Sequence, residues 1–81
     1  MPAFPYMIET PHQILESSFK IAWDYLQGTG ELGETDAATR FLLDNIVTSM
    51  KRGERRKLLL SNRAIDAYKH WQATQVFALV S

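Results

Sequence analysis

The chain contains no cysteine among its 81 residues. That excludes a disulfide framework, a thiolate nucleophile and a cysteine-ligated zinc site, and it is the usage expected in a reducing compartment. Long apolar runs are also missing: the longest, VFALV at 76–80, falls far short of the roughly 20 residues needed to cross a bilayer. The opening stretch MPAFPYMIETP has neither the basic start nor the unbroken apolar segment of a secretory signal. A soluble, cytoplasmic protein is the expectation. Net charge is absent as well, with nine basic and nine acidic side chains, so the chain as a whole is not a basic nucleic-acid binder.

The charge that is present is unevenly spread. Residues 1–50 carry seven acids and two bases, and residues 51–81 carry seven bases and two acids. The two halves should attract, within one molecule or between molecules. With 46% hydrophobic and 22% charged residues, the composition is that of a globular protein. A chain this short buries only about 60% of its unfolded surface and holds one core, so 1–81 reads as a single domain.

Glycine occurs four times, as a cluster at Gly28, Gly30 and Gly33 and singly at Gly53, and the segments between these breaks read as helix. Thr10 as N-cap, Pro11 at the first helical position and Gln13 three residues after the cap form a capping box. They predict a first helix over about 11–27 with Gly28 as its stop. Ile14, Leu15, Phe19, Ile21, Ala22, Trp23, Tyr25 and Leu26 share one arc of that helix. A second helix is predicted over about 35–52, with Asp36 in its first turn and Lys51 and Arg52 in its last, both favoured by the dipole. Its inner face takes Ala38, Leu42, Leu43, Ile46, Val47 and Met50, with Phe41 at the border and Arg40 and Asp44 facing out.

A third helix over about 54–72 gathers Leu58, Leu60, Ala64, Ile65, Ala67, Tyr68 and Trp71 on one half of its wheel. Only Leu59 falls on its polar side, and Ser61-Asn62 are carried inside it without a break. Continued helix would rotate Val76, Phe77 and Val80 onto the polar face, so the regular helix should end near Gln72 to Gln75, leaving an apolar tail. The N-terminal arm, with Phe4, Tyr6, Met7 and Ile8 between prolines, is expected to be extended. The fold class is therefore all-α: a three-helix antiparallel bundle with an extended N-terminal arm and an apolar C-terminal tail.

GTGELG at 28–33 has the G-x-G-x-x-G spacing of a dinucleotide-binding turn. Such a turn follows a buried strand and opens a helix that meets the pyrophosphate; this one follows a helix, and a mostly helical chain leaves no room for the sheet. It reads instead as an interhelix loop in which Gly30 and Gly33 take unusual backbone angles and Leu32 folds back as a plug. No cofactor is implied. Asp66 and His70 stand at i,i+4, and His12 is remote, so two ligands do not make a metal site. Serines 17, 18, 49, 61 and 81 occupy no nucleophile elbow, and Glu31 and Glu34 flank a loop rather than a pocket, so no catalytic role is assigned.

The most basic stretch is KRGERRK at 51–57. Arg55, Arg56 and Lys57 stand where cations oppose a helix dipole, which points either to a phosphate, nucleic-acid or acidic-protein site or to neutralisation by Glu54 and the acidic half. A helix-turn-helix is disfavoured by the length of the helices and a connection of nearly one glycine. The apolar end, with Val76, Phe77, Leu79 and Val80, together with Leu59, suggests an interface with a second subunit or another protein. The run GERRKLLLSNRAIDAY at 53–68 resembles a segment of short, uncharacterised helical bacterial proteins. That resemblance implies a bacterial cytoplasmic protein and carries no activity, ligand or site residue. The expected function is a small non-enzymatic protein-interaction module, with self-association as one form of it. The alternative is nucleic-acid or polyanion binding through Lys51, Arg52, Arg55, Arg56 and Lys57.

Overall fold

The structure is a computed structural model that describes the backbone of residues 10–80 and the side chains of residues 10–75. Three helices, α1 (Pro11–Thr29), α2 (Thr35–Lys51) and α3 (Lys57–Val80), pack pairwise into one bundle. The short connections reverse direction twice: the first turns of α1 meet the end of α2 around Leu15, Val47 and Met50, and the end of α1 meets α3 where Glu31 pairs with Lys69. The expected N-terminal arm lies outside the described residues.

Each helix contributes a stripe at four-residue intervals. Ile14, Ser18, Ala22 and Leu26 come from α1, Ala38, Leu42 and Ile46 from α2, and Leu60, Ala64 and Tyr68, joined by Ser61, from α3. Residues four apart stand one above another on a helix, and the small members Ser18, Ala22, Ala38, Ser61 and Ala64 let the backbones approach. The buried serines satisfy their hydroxyls locally: Ser18 Oγ donates to the Ile14 carbonyl at 2.7 Å and Ser61 Oγ to the Leu58 carbonyl at 2.9 Å. Leu15, Phe19, Trp23, Leu32, Phe41, Met50, Ile65 and Trp71 close the edges of this core.

Several sequence-based expectations shift. The Thr10 capping box forms as expected, with Thr10 Oγ1 accepting the Gln13 N–H and the Gln13 side chain accepting the Thr10 N–H. Gly28, however, lies inside α1, and the left-handed cap is Gly30, at φ 76° and ψ 14°. The third helix starts at Lys57 rather than Glu54 and continues to Val80 instead of ending at Gln72 to Gln75. The apolar phase of the sequence is lost after Gln72, but with no proline or glycine from 54 to 81, nothing in that stretch stops the backbone hydrogen bonding itself. Ala73, Thr74 and Gln75 are accordingly exposed. Leu58, placed on the inner face by periodicity, is 69% exposed, while Leu59 is half-buried; the stripe of Leu60, Ala64 and Tyr68 sets the phase, and Leu58 stands on its far side. Ile21 and Tyr25, expected in the apolar arc of α1, are also exposed.

Candidate functional site

The glycine loop is a clasp between α1, α2 and α3. Gly30 donates its N–H to the Gln27 carbonyl at 3.2 Å, and the N–H groups of Glu31 and Leu32 both reach the Leu26 carbonyl. Leu32 packs against the core as the expected plug. Gly33 has no positive φ, contrary to the unusual angle expected for it. Its lack of a side chain serves close approach: its N–H donates to the Tyr68 hydroxyl at 2.9 Å, and a Cβ there would stand 2.5 Å from Gln72 Nε2. Glu31 accepts from Thr29 Oγ1 at 2.7 Å and pairs with Lys69 at 3.5 Å, while the Glu34 carboxylate caps α2 by accepting the N–H groups of Ala37 and Asp36. The loop residues hold helices together, and their carboxylates are used in doing so.

The basic turn is organised by Glu54. Its carboxylate accepts the N–H groups of Arg55 and Arg56 at 3.1 and 2.9 Å and the Arg56 Nε at 3.0 Å. The Arg56 side chain and N–H bonds, with smaller help from the Arg55 N–H, lower its pKa to about 2, and the same pair raises that of Arg56. Arg55 turns the other way, donating from Nη1 to the Met50 carbonyl at 2.9 Å, where it meets the negative end of α2. Gly53, at φ 103°, makes the reversal, and its N–H also reaches Met50. Lys51 and Arg52 are exposed and, among the described residues, form no ion pair; Lys57 is half-buried. The five cations are thus brought to one turn, and Arg55 and Arg56 help to hold it.

Of the expected interface residues, Leu59 joins Leu58, Asn62 and the basic residues 55–57 around an open depression of about 590 Å³. Leu58, not Leu59, is its exposed apolar element. The side chains of Val76, Phe77, Leu79 and Val80 lie outside the described residues. Asp66 and His70 are exposed, 3.8 Å apart, and His12 instead faces Glu16 at 3.4 Å. Among the described residues no cluster of three potential ligands could hold a metal ion, and no helix is long and apolar enough to cross a membrane.

An open groove of about 790 Å³ runs along the outer face of α2 beside α3 and is lined by Ala37, Arg40, Phe41, Leu43, Asp44, Val47 and Trp71. The Phe41 and Trp71 rings stack with centroids 5.0 Å apart and planes 20° apart, and Tyr68 supports both from the core. Phe41, Leu43, Val47 and Trp71 are half-buried, whereas Arg40 and Asp44 are exposed and have no ion-pair partner among the described residues. Periodicity counted Leu43 and Val47 as core because it measures the width of an apolar arc, and this arc is wider than the buried stripe of Ala38, Leu42 and Ile46. That excess width was the signal of the groove. Comparisons of the chain with protein-family models, curated proteins and solved structures gave no match.

Proposed function

We propose that this chain is a small non-enzymatic protein-interaction module that docks a protein surface along the outer face of α2 and its border with α3. One observation carries the reading: a stacked aromatic pair, Phe41 and Trp71, forms the wall of an open apolar groove whose rim charges, Arg40 and Asp44, lack partners among the described residues. Aromatic and aliphatic anchors inside a rim of charge are the arrangement that protein interfaces favour. The polyanion alternative keeps Lys51 and Arg52, but Glu54 and the α2 terminus draw on Arg56 and Arg55, which leaves it the weaker reading. The bacterial, cytoplasmic setting rests on the resemblance of residues 53–68.

The test is site-specific photo-crosslinking of the full chain in cells that express it. A photoreactive phenylalanine at position 40 should give a discrete adduct of defined mass, and the same residue at position 24, on the polar side of α1, should not. Equal labelling from both positions, or none from position 40, would remove the docking reading.

A further inference from the structure

We propose that the partner of this groove is a second copy of the chain, with α2 packed antiparallel on α2 about a two-fold axis at the level of Leu42, and with Arg40 and Asp44 setting the register. The inference rests on the docking reading and adds the identity of the occupant. Its basis is a symmetry in the lining residues themselves. The six that come from α2 fall into three pairs equidistant from position 42: Arg40 with Asp44, Phe41 with Leu43, and Ala37 with Val47.

Helix geometry gives that pairing a direction. At roughly 100° per residue, Leu42, flanked by the buried Ala38 and Ile46, points into the bundle. Arg40 and Asp44 straddle the opposite direction within about 20°, and Ala37 and Val47 within about 40°. A two-fold axis lying between the two α2 helices and perpendicular to them at that level makes an isologous contact, in which the residues that face the second copy meet their pair partners and each flank meets its own counterpart. Arg40 then faces Asp44 of the second copy, and Asp44 faces Arg40. Ala37, the smallest residue of the groove, meets the larger Val47. Phe41 and Trp71 of both copies gather on the flank where α3 lies, and the two Leu43 side chains meet on the opposite flank.

Charge selects this arrangement over others. A parallel pairing in the same register sets Arg40 on Arg40 and Asp44 on Asp44, and like charges across an interface disfavour it. Within one chain the two residues stand at i,i+4 with the base N-terminal to the acid, the poorer orientation for an intrahelical pair. Among the described residues neither has another ion-pair partner, so both heads remain available to the second copy. The apolar residues supply the contact area, and the charges fix its direction.

Charge exchange followed by sedimentation equilibrium tests this. The wild-type chain is expected to dimerise reversibly. Arg40→Asp and Asp44→Arg should each weaken self-association by at least about tenfold, because each homodimer then opposes like charges twice. An equimolar mixture of the two variants should form a heterodimer, since all four facing charges become complementary, and the double exchange R40D/D44R should restore the homodimer. Both positions are exposed, and unchanged circular dichroism will show that the fold is retained. Single exchanges without effect, or a mixture that stays monomeric, would overturn the proposed register. A wild-type chain that stays monomeric across the concentration series would overturn the second copy as partner; an adduct from position 40 to a different protein would then leave the docking reading standing, and no adduct would remove both.

Discussion

Replacing Gly28 and Gly30 separately by alanine distinguishes two places where the first helix could stop, and the structure assigns the two substitutions opposite signs. Gly28 lies within α1, has no positive φ, and an added Cβ meets nothing within 4 Å. Gly28→Ala therefore changes only the helix preference, and glycine inside a helix costs about 0.5–1 kcal/mol relative to alanine; because the site is in the last turn, the gain should be near the lower figure. Gly30 has equally free space around its Cα but holds φ at 76°. An L side chain in that left-handed region costs about 1–2 kcal/mol, so Gly30→Ala should destabilise by about that much, and Gly30→Asn by less because asparagine tolerates the conformation. For a chain of this size each kcal/mol moves Tm by about 4–8 °C. Thermal and urea denaturation followed by circular dichroism should place the Gly28→Ala midpoint a few degrees above wild type and the Gly30→Ala midpoint below it, with an unchanged urea m-value. A destabilised Gly28→Ala beside a tolerated Gly30→Ala would refute the cap at Gly30 and the hydrogen bonds to Leu26 and Gln27 that depend on it.

Three further outcomes follow from the packing and the turn. Tyr68→Phe keeps the buried ring but removes the acceptor of the Gly33 N–H, so it should cost about 1 kcal/mol and speed amide exchange at Gly33; unchanged exchange would show that the clasp is not held by the hydroxyl. Leu60→Ala should cost about 2–5 kcal/mol because its side chain is fully buried, whereas Leu58→Ala should stay within about 0.5 kcal/mol, and comparable losses in urea denaturation would contradict the phase of α3. Glu54 has a lowered folded pKa of about 2 against an ordinary value of 4.5, so its contribution to stability is present above pH 4.5 and is lost as the pH falls toward 2. Glu54→Gln should flatten the dependence of Tm on pH in that window, and a slope identical to wild type would refute the assignment.

How much of this was legible in the sequence depends on what each signal measures. The Thr10, Pro11 and Gln13 cap was readable because it is local chemistry, and the stripes through Ile14, Leu42 and Ala64 were readable because burial repeats with the helix. The loop and the unusual backbone of Gly30 were legible in the sequence, but the helix stop falls at Gly30 rather than Gly28, and the close approach of Gly33 to Tyr68 depends on a partner 35 residues away. Leu58 and Leu59 were interchanged because three consecutive leucines carry no phase of their own, and only the depth of Leu60 in the bundle resolves them. The end of α3 was misjudged because amphipathic periodicity reports packing, whereas helix termination needs a stop signal that residues 72–80 do not contain. For the site, Arg40 and Asp44 were correctly read as facing outward, but the apolar residues beside them were absorbed into the core.

The basic turn shows why a local excess of charge is a poor guide to a binding site when it falls between two helices. In sequence, Arg55, Arg56 and Lys57 look unfavourable, since three cations crowd the positive end of a helix. In space, the Glu54 carboxylate occupies that end: it takes the N–H groups of Arg55 and Arg56, and its side chain remains only 13% exposed. The Arg55 guanidinium reaches back to the carbonyl end of α2. Each helix terminus therefore meets the sign it requires, and the turn is stabilised by the residues that appeared to strain it. Lys51 and Arg52, exposed and without an ion pair among the described residues, stand at the C-terminus of α2, where the dipole already favours cations. The unexplained surface lies instead along α2, where Arg40 and Asp44 serve neither helix end and form no intramolecular ion pair among the described residues. A charge accounted for by its own helix calls for no ligand; these two are accounted for once a second α2 lies across them.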